Sequence, residues 1–438
     1  NYSTREALLA PPHCWHRRPP ASTGSRAPAT TTIMNKHGYD LSCNVLINGA
    51  GLVGSTCALS LAQNGLDVLI LDQRSSDPPF EPEPMRVSAL NIASQNILTA
   101  LDVWDRLSPE IKTPFENIEV WDASGHGHLK FEAASVGIGQ LGHIVSNSGI
   151  CTTLHQAINE HPNTSIIWAD AITEYATSED KITVVTENGR TINSQLLVGS
   201  DGAKSKTRKL ANIDHEAASY QQIAIIASVT TSKPHGSCAR QRFLETGPLA
   251  FLPISNHQCS IVWSSDLEET NRLLTLSDAA FSEALAAAFN YELGSIESVS
   301  VRRSFPLARQ HAKRYIGDRI ALIGDAAHTV HPLAGLGANQ GISDAAALSQ
   351  IINARHSDNR DFSTRSVLRR YERWRRSENA FLIDTIDSLQ QCFGIKNPVV
   401  SQARTAGLNL TDRSEILKRK LMHHAIGFGG QTPLLAQQ

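Results

Sequence analysis

The sequence predicts an α/β fold: a Rossmann-like unit, an inserted β-sheet unit and C-terminal helices. Three observations predict it. The apolar run Cys43–Ile47 is followed by glycines at G-x-G-x-x-G spacing and then by a helical stretch. Residues 220–305 read as successive strands. A second glycine-rich segment, Gly324 through Gly341, follows another short apolar strand, Ile320–Ile323.

Taken in order, Cys43–Ile47 suits a buried strand. Gly49 permits a tight turn, Gly51 lets the backbone approach a pyrophosphate, and Gly54 lets the following helix pack closely on the strand. That helix, Ser55–Ala62, offers free N–H groups and its positive dipole end to the phosphates. A second strand, Asp67–Leu71, ends in Asp72. Its spacing from the glycines is close to the roughly 20 residues expected for a carboxylate on ribose hydroxyls. Strand, helix and terminal acid together predict dinucleotide binding.

Further on, Arg86 opens a helical stretch through Leu101, residues 115–145 form short strands, and Ser148–Glu160 is helical. Strands follow at Ser165–Trp168, Ile182–Thr186 and Leu196–Gly199, the last leading into Asp201. In the inserted block, Ile223–Thr230, Ala239–Leu244, Leu249–Pro253 and Cys259–Trp263 are strands and Ser277–Phe289 a helix. Helices close the chain at 343–354, 364–392 and 413–424.

Composition limits the function. Lys plus Arg is 40 and Asp plus Glu 42, a balance that argues against a general nucleic-acid binder. No apolar run reaches the roughly 18 residues of a membrane span. The seven cysteines are scattered, odd in number and without C-x-x-C spacing, so they read as reduced thiols. Residues 1–33 are rich in Pro, Ala, Ser, Thr and Arg, with one acid, Glu6. They read as a disordered leader, or as an Arg-rich transit peptide interrupted by prolines.

The motifs identify a family. Gly49–Gly54, Arg86 with Leu90, Leu197–Ser205 and Gly317–Asp325 occur in the order found in group A flavin monooxygenases with the para-hydroxybenzoate hydroxylase fold. The chain resembles these enzymes from about Asn44 to near Gly427. Within them, His331-Pro332-Leu333-Ala334-Gly335, then Asn339 and Asp344, is similar to the ubiquinone-biosynthesis hydroxylases of bacteria and mitochondria. The chain departs from that pattern at Lys204, Leu336 and Gln340, where the family usually has Asn, Gln, and Leu or Met.

The resemblance implies FAD as cofactor and a discontinuous FAD-binding domain at 34–114, 146–219 and 306–380. It implies a substrate domain at 115–145 and 220–305, and a C-terminal helical region at 381–438. Asp325 is expected on the ribityl hydroxyls, with a helix N-cap as the plain alternative. Arg86 is expected near the pyrophosphate, or in a surface ion pair. Asp201 is expected to serve FAD and a passing nicotinamide nucleotide, or an Asx turn. Gly335, Gly337, Ala338 and Asn339 open a helix, expected around Gln340, whose N-terminus would stabilise charge on the reduced flavin. Phe251, Leu252, Pro253 and Pro332 are expected beside the substrate ring. His328 and His331 lack a third ligand nearby, so no metal is expected.

The implied chemistry is ring hydroxylation through a flavin C4a-hydroperoxide, with NAD(P)H or another electron donor as reductant and O2 as co-substrate. No catalytic side chain follows from the sequence. The implied substrate is a polyprenylated phenol or benzoquinol. That implies peripheral contact with the inner membrane, from the cytoplasm or the mitochondrial matrix, and a place in a ubiquinone-biosynthesis complex. Lys418-Arg419-Lys420, flanked by Ile416, Leu417 and Leu421, suits a membrane interface, a partner, or packing on its own domain. The rivals are another flavoprotein oxidoreductase of this fold and a non-catalytic flavoprotein scaffold. A halogenase is disfavoured because W-x-W is absent.

Overall fold

The computed structural model describes residues 33–35, 38–75, 86–123, 127–331, 335–395 and 397–437. Its helices are α1 (Leu52–Ala62), α2 (Ile92–Ala100), α3 (Asn147–Glu160), α4 (Lys206–Leu210), α5 (Leu267–Thr275), α6 (Asp278–Ala288), α7 (Leu336–Ser357), α8 (Arg365–Gly394), α9 (Pro398–Arg413) and α10 (Glu415–Ala425).

The first core is a six-stranded sheet ordered Thr164–Ile167, Val68–Leu71, Val45–Asn48, Leu196–Gly199, Ile320–Leu322, Ile316–Gly317. All neighbours are parallel except the last hairpin. The three central strands are buried throughout and apolar but for the terminal Asn48, as expected of strands covered on both faces. α1, α3 and α7 cover one face. A five-stranded sheet carrying Ile172, Ile182, Val184 and Ile192 covers the other.

The second core is a nine-stranded sheet, with α5 and α6 packed on one face. Its strands alternate. Leu249, Phe251, Ile261, Trp263, Ile225 and Ala227 point to the helices, and their neighbours point to the opposite side. A three-stranded sheet of Val87–Asn91, Gly142–Ser146 and Lys112–Phe115 lies between the two units.

Several expectations change. Residues 87–91 form a strand, not the start of a helix, because Val87–Asn91 pairs with Gly142–Ser146. Asn91 then caps α2 by accepting from Ser94 N. Strand pairing also crosses the expected domain boundaries. Gly142–Ser146 pairs with Val87–Asn91 and Lys112–Phe115, strands that lie mostly in the expected FAD-binding stretch. His215–Thr231 begins before 220, and Arg303–Ala312 runs past 305 in the large sheet. α7 begins at Leu336, ahead of the expected Gln340. α5 and α9 were not anticipated, nor were the strands Ile172–Thr177 and Thr191–Ser194. Ile33–Asn35 pairs with Gly38–Ser42, so pairing reaches into the expected leader, whose other residues lie outside the described ones.

Candidate functional site

The strand Val45–Asn48 runs straight into the glycine turn. Gly49 has φ +114, and a Cβ there would lie 2.5 Å from Ser200 O. A Cβ on Gly54 would lie 2.0 Å from Gly49 O. These two glycines therefore serve close backbone packing. Gly51 differs, because a Cβ there meets nothing within 4 Å. It opens α1, whose N-terminus carries no side-chain cap and no acid in the first turn. Such an end suits a phosphate.

Asp72 braces this turn. Its Oδ2 accepts from Ala50 N at 2.7 Å and from Arg74 Nη2 at 2.8 Å. Its Oδ1 accepts from Arg74 N and Nε. Burial pushes the carboxyl up, but the Arg74 bonds and the Ala50 bond outweigh it and hold the pKa below the usual value. A ribose would have to share these oxygens. The Arg74 guanidinium also lies 5.9 Å from the Trp168 ring centre.

Asp201 is engaged within the protein. Its Oδ2 accepts from Thr207 N, Thr207 Oγ1 and Asn48 Nδ2, and its Oδ1 from Ser205 Oγ. The carboxylate thus holds the turn into α4 against the central strand, the role of an Asx-type turn rather than of an open cofactor contact.

Asp325 is the opposite case. It follows the strand Ile320–Leu322 in a single 3-10 turn, Gly324–Ala326. The residue is exposed at its tip and makes no bond to another described residue. Protein crowds it at longer range, so dehydration raises its pKa, while the charges of His328 and Arg86 oppose the rise. Arg86, distant in the chain, is near enough in the fold for its charge to act on Asp325. A carboxylate without a described partner can accept from ligand hydroxyls, and a guanidinium suits phosphate oxygens.

α7 starts at Gly335, which has φ +61 and whose Cβ would lie 2.9 Å from Ala89 Cβ. Gly337 and Ala338 sit in its first turn, where N–H groups have no partner within the helix. Asn339 does something else with its side chain. Oδ1 accepts from Asn91 N and Ser94 Oγ, and Nδ2 donates to Ala89 O and Gly335 O. It stitches α7 to the Val87–Asn91 strand. A Cβ on Gly341 would lie 2.4 Å from Val53 Cγ2, and one on Gly324 3.2 Å from Val53. Two helix starts therefore converge beside Gly324, neither with a side-chain cap nor an acid in its first turn.

Beneath them lies a buried polar network that sequence reasoning missed. Asp344 Oδ2 bonds His328 Nε2 at 2.5 Å and accepts from Gly324 N at 3.1 Å. Its Oδ1 accepts from Arg375 Nε at 2.7 Å and from Asn379 Nδ2 at 3.2 Å. Arg375 also donates to Gln340 Oε1. Burial would raise the Asp344 carboxyl, yet His328 and Arg375 hold it at about 2. The signals in the sequence were Asp344 and His328; Arg375 gave none, because it lies among solvated arginines of the same helix. His331 packs edge-on to Tyr220 and reaches Gln222, so the two histidines serve separate contacts.

The expected substrate wall needs correction. Phe251 is buried against Phe289, with ring centroids 4.1 Å apart, on the α6 face of the large sheet. Pro253 shares that parity. Leu252 faces the other way, toward a cluster with Phe115, Ile144 and Ala89. By register, Ile226, Gln241, Ala250 and Val262 share the Leu252 face, and all five are partly exposed. Pro332 lies outside the described residues.

A family profile described as FAD binding domain matches residues 42–384. The chain belongs to the para-hydroxybenzoate hydroxylase-type family of FAD-dependent monooxygenases. It is 31% identical over 386 residues to 3-demethoxyubiquinol 3-hydroxylase of Escherichia coli, covering 87% of this chain and 98% of that protein. It is 32% identical to ubiquinone hydroxylase UbiL of Rhodospirillum rubrum, covering 93% of each. It is 30% identical to the mitochondrial ubiquinone biosynthesis monooxygenase COQ6 of Danio rerio, covering 92% of this chain and 94% of that one. In fold it is similar to p-nitrophenol 4-monooxygenase PnpA of Pseudomonas putida DLL-E4, with TM-score 0.73, 16% identity and coverage of 89% and 99%. The residues fit FAD: an open Gly51, a carboxylate with no described partner at Asp325, and two uncapped helix starts. Among the described residues, no helix is long and apolar enough to cross a membrane.

Proposed function

We propose that this monooxygenase hydroxylates the aromatic ring of a polyprenylated phenol or benzoquinol in ubiquinone biosynthesis. The end-to-end similarity to ubiquinone hydroxylases carries the reading. The sheet face of Ile226, Gln241, Ala250, Leu252 and Val262 supports it, because uncharged and mostly apolar side chains suit an apolar ring and exclude water.

In this reading the α1 start at Gly51 and the Arg86 guanidinium hold the pyrophosphate. Asp325 accepts the ribityl hydroxyls. The α7 start at Gly337 and Ala338 would stabilise negative charge on a flavin held there. FAD held there would supply the redox chemistry: acceptance of a hydride from reduced nicotinamide or another donor, and activation of O2 toward an electron-rich ring. The protein contributes orientation and dryness. Asp344 keeps the Gly324 turn in place through its N–H, which fixes where Asp325 points. Asp72 keeps the phosphate turn in place through Ala50. The large sheet, with strands 117–122, 128–132 and 215–312, acts as the substrate domain over the FAD-binding unit.

The test is turnover of the FAD-loaded protein with a short-chain prenyl phenol and reduced nicotinamide. Mass spectrometry should find a product one oxygen heavier. Flavin reduction and oxidation without any oxygenated ring would overturn the reading and favour another oxidoreductase of this fold.

A further inference from the structure

We propose that α9 and α10 form a surface that docks on an anionic lipid bilayer, from which the prenylated substrate is taken. The proposal rests on the substrate reading above.

α9 turns an apolar stripe to solvent. Val399, Ala403, Ala406 and Leu410 recur at helical spacing and are all exposed, Val399 by 73% and Leu410 by 67%. Its other face is firmly seated. Arg404 pairs with Asp122 at 2.5 Å, Asn409 Oδ1 accepts from His128 N, and Asp412 Oδ1 accepts from Lys130 N. α10 repeats the arrangement. Met422 and Ile426 are buried, while Ile416, exposed by 85%, points outward with Leu417 and Leu421. The two helices are joined by Lys418 Nζ to Asp412 Oδ1 at 2.7 Å. Their inner faces rest on the strand His128–Glu132 and, through Ser135 and Met422, on the turn after it. The outward faces therefore look away from one edge of the large sheet. Exposed apolar groups gathered in this way mark an interaction site.

Charge selects the occupant. Arg413, Arg419 and Lys420 are exposed among these apolar side chains, with Glu415 as the exposed acid and Asp412 neutralised by Lys418. A basic rim around apolar side chains matches lipid phosphates over acyl chains. The interior gives a second reason. Met422 and Ile426, under α10, belong to the apolar cluster that contains Ala89 and Leu252. Ala89 abuts Gly335, and Leu252 lies on the proposed substrate wall. A bilayer on the outer side of α10 would sit across one helix from an apolar path to that wall. A two-fold contact with a second copy would instead bring the basic residues of the two copies together.

The FAD-loaded full chain is sedimented with vesicles of phosphatidylcholine, with and without phosphatidylglycerol. Binding should rise with the anionic lipid. It should fall at least about tenfold in Ile416→Glu/Leu417→Glu and, independently, in Val399→Glu/Leu410→Glu. Arg419→Glu/Lys420→Glu should remove the dependence on phosphatidylglycerol. All six positions are exposed, so FAD content and melting temperature should match the parent and confirm folding. Equal binding to both lipids, or variants that bind like the parent, would overturn the proposal. So would a dimer in sedimentation velocity that these substitutions abolish. Turnover of a soluble short-chain phenol should be kept in every variant. Its absence in the parent would overturn the substrate reading rather than the docking surface.

Discussion

Asp344 bonds His328 and the backbone N–H of Gly324 with one oxygen, Oδ2. Gly324 immediately precedes Asp325. The buried acid therefore anchors the turn that presents the free one, and its other oxygen is held by Arg375.

Replacing Asp344 with Asn should be strongly destabilising, because Arg375 is left buried without its counter-charge. The cost should be about 3–5 kcal/mol, read from urea denaturation. The sign with pH is set by a folded pKa of about 2 against an ordinary 3.8. A depressed carboxyl stabilises the fold above its unfolded pKa and loses that contribution as pH falls toward the folded one. Stability of the parent should drop between about pH 4 and 2, and this part of the drop should be missing in Asp344→Asn. Matching acid profiles in the two proteins would refute the ion-pair account.

Gly51→Val and Gly54→Ala should separate cofactor binding from folding. A side chain at Gly51 enters open space in the protein, so the variant should melt like the cofactor-free parent yet retain little FAD. A Cβ at Gly54 strikes the Gly49 carbonyl, so that variant should lose thermal stability even without cofactor. Flavin absorbance and calorimetry read the two effects. Full FAD occupancy in Gly51→Val would remove this turn from the site.

Asp325→Ala should lower FAD affinity by at least about tenfold if one charge-assisted hydrogen bond is lost. It should not lower the melting temperature of the cofactor-free protein, because the carboxylate has no described partner and is raised by dehydration. A titration with FAD gives the first quantity and thermal unfolding the second. A destabilised apoprotein with undiminished affinity would assign Asp325 a structural role.

Leu252→Ala and Phe251→Ala should behave differently although they are neighbours. Opening the wall at Leu252 should admit water and raise hydrogen peroxide released per O2 consumed. Phe251→Ala should instead cost about 3–5 kcal/mol of stability, with the peroxide ratio unchanged in folded protein. Oxygen-electrode and product measurements compare them. The reverse pattern would mean that the sheet presents its other face to the substrate.

Local sequence determined a large part of this protein. Apolar runs, glycine spacing and a terminal acid were enough for the strand Val45–Asn48, α1 and Asp72, because backbone sterics and short-range burial act over a few residues. Asp325 and Gly335 were marked only by the resemblance to a known family. Tertiary structure decided the rest. Residues 87–91 became a strand because a partner at 142–146 was available, which no local pattern reports. Phe251 and Leu252 divide between two faces, and only the packing of α6 says which face is core. Asp201 was expected at the cofactor or in an Asx turn, and the fold commits its side chain to Thr207, Asn48 and Ser205; Asn339, expected at a helix start, also ties that helix to Asn91 and Ser94 through its side chain. Arg375 became the partner of Asp344 because a buried carboxylate requires a counter-charge wherever the fold can supply one, and that need is invisible along the chain.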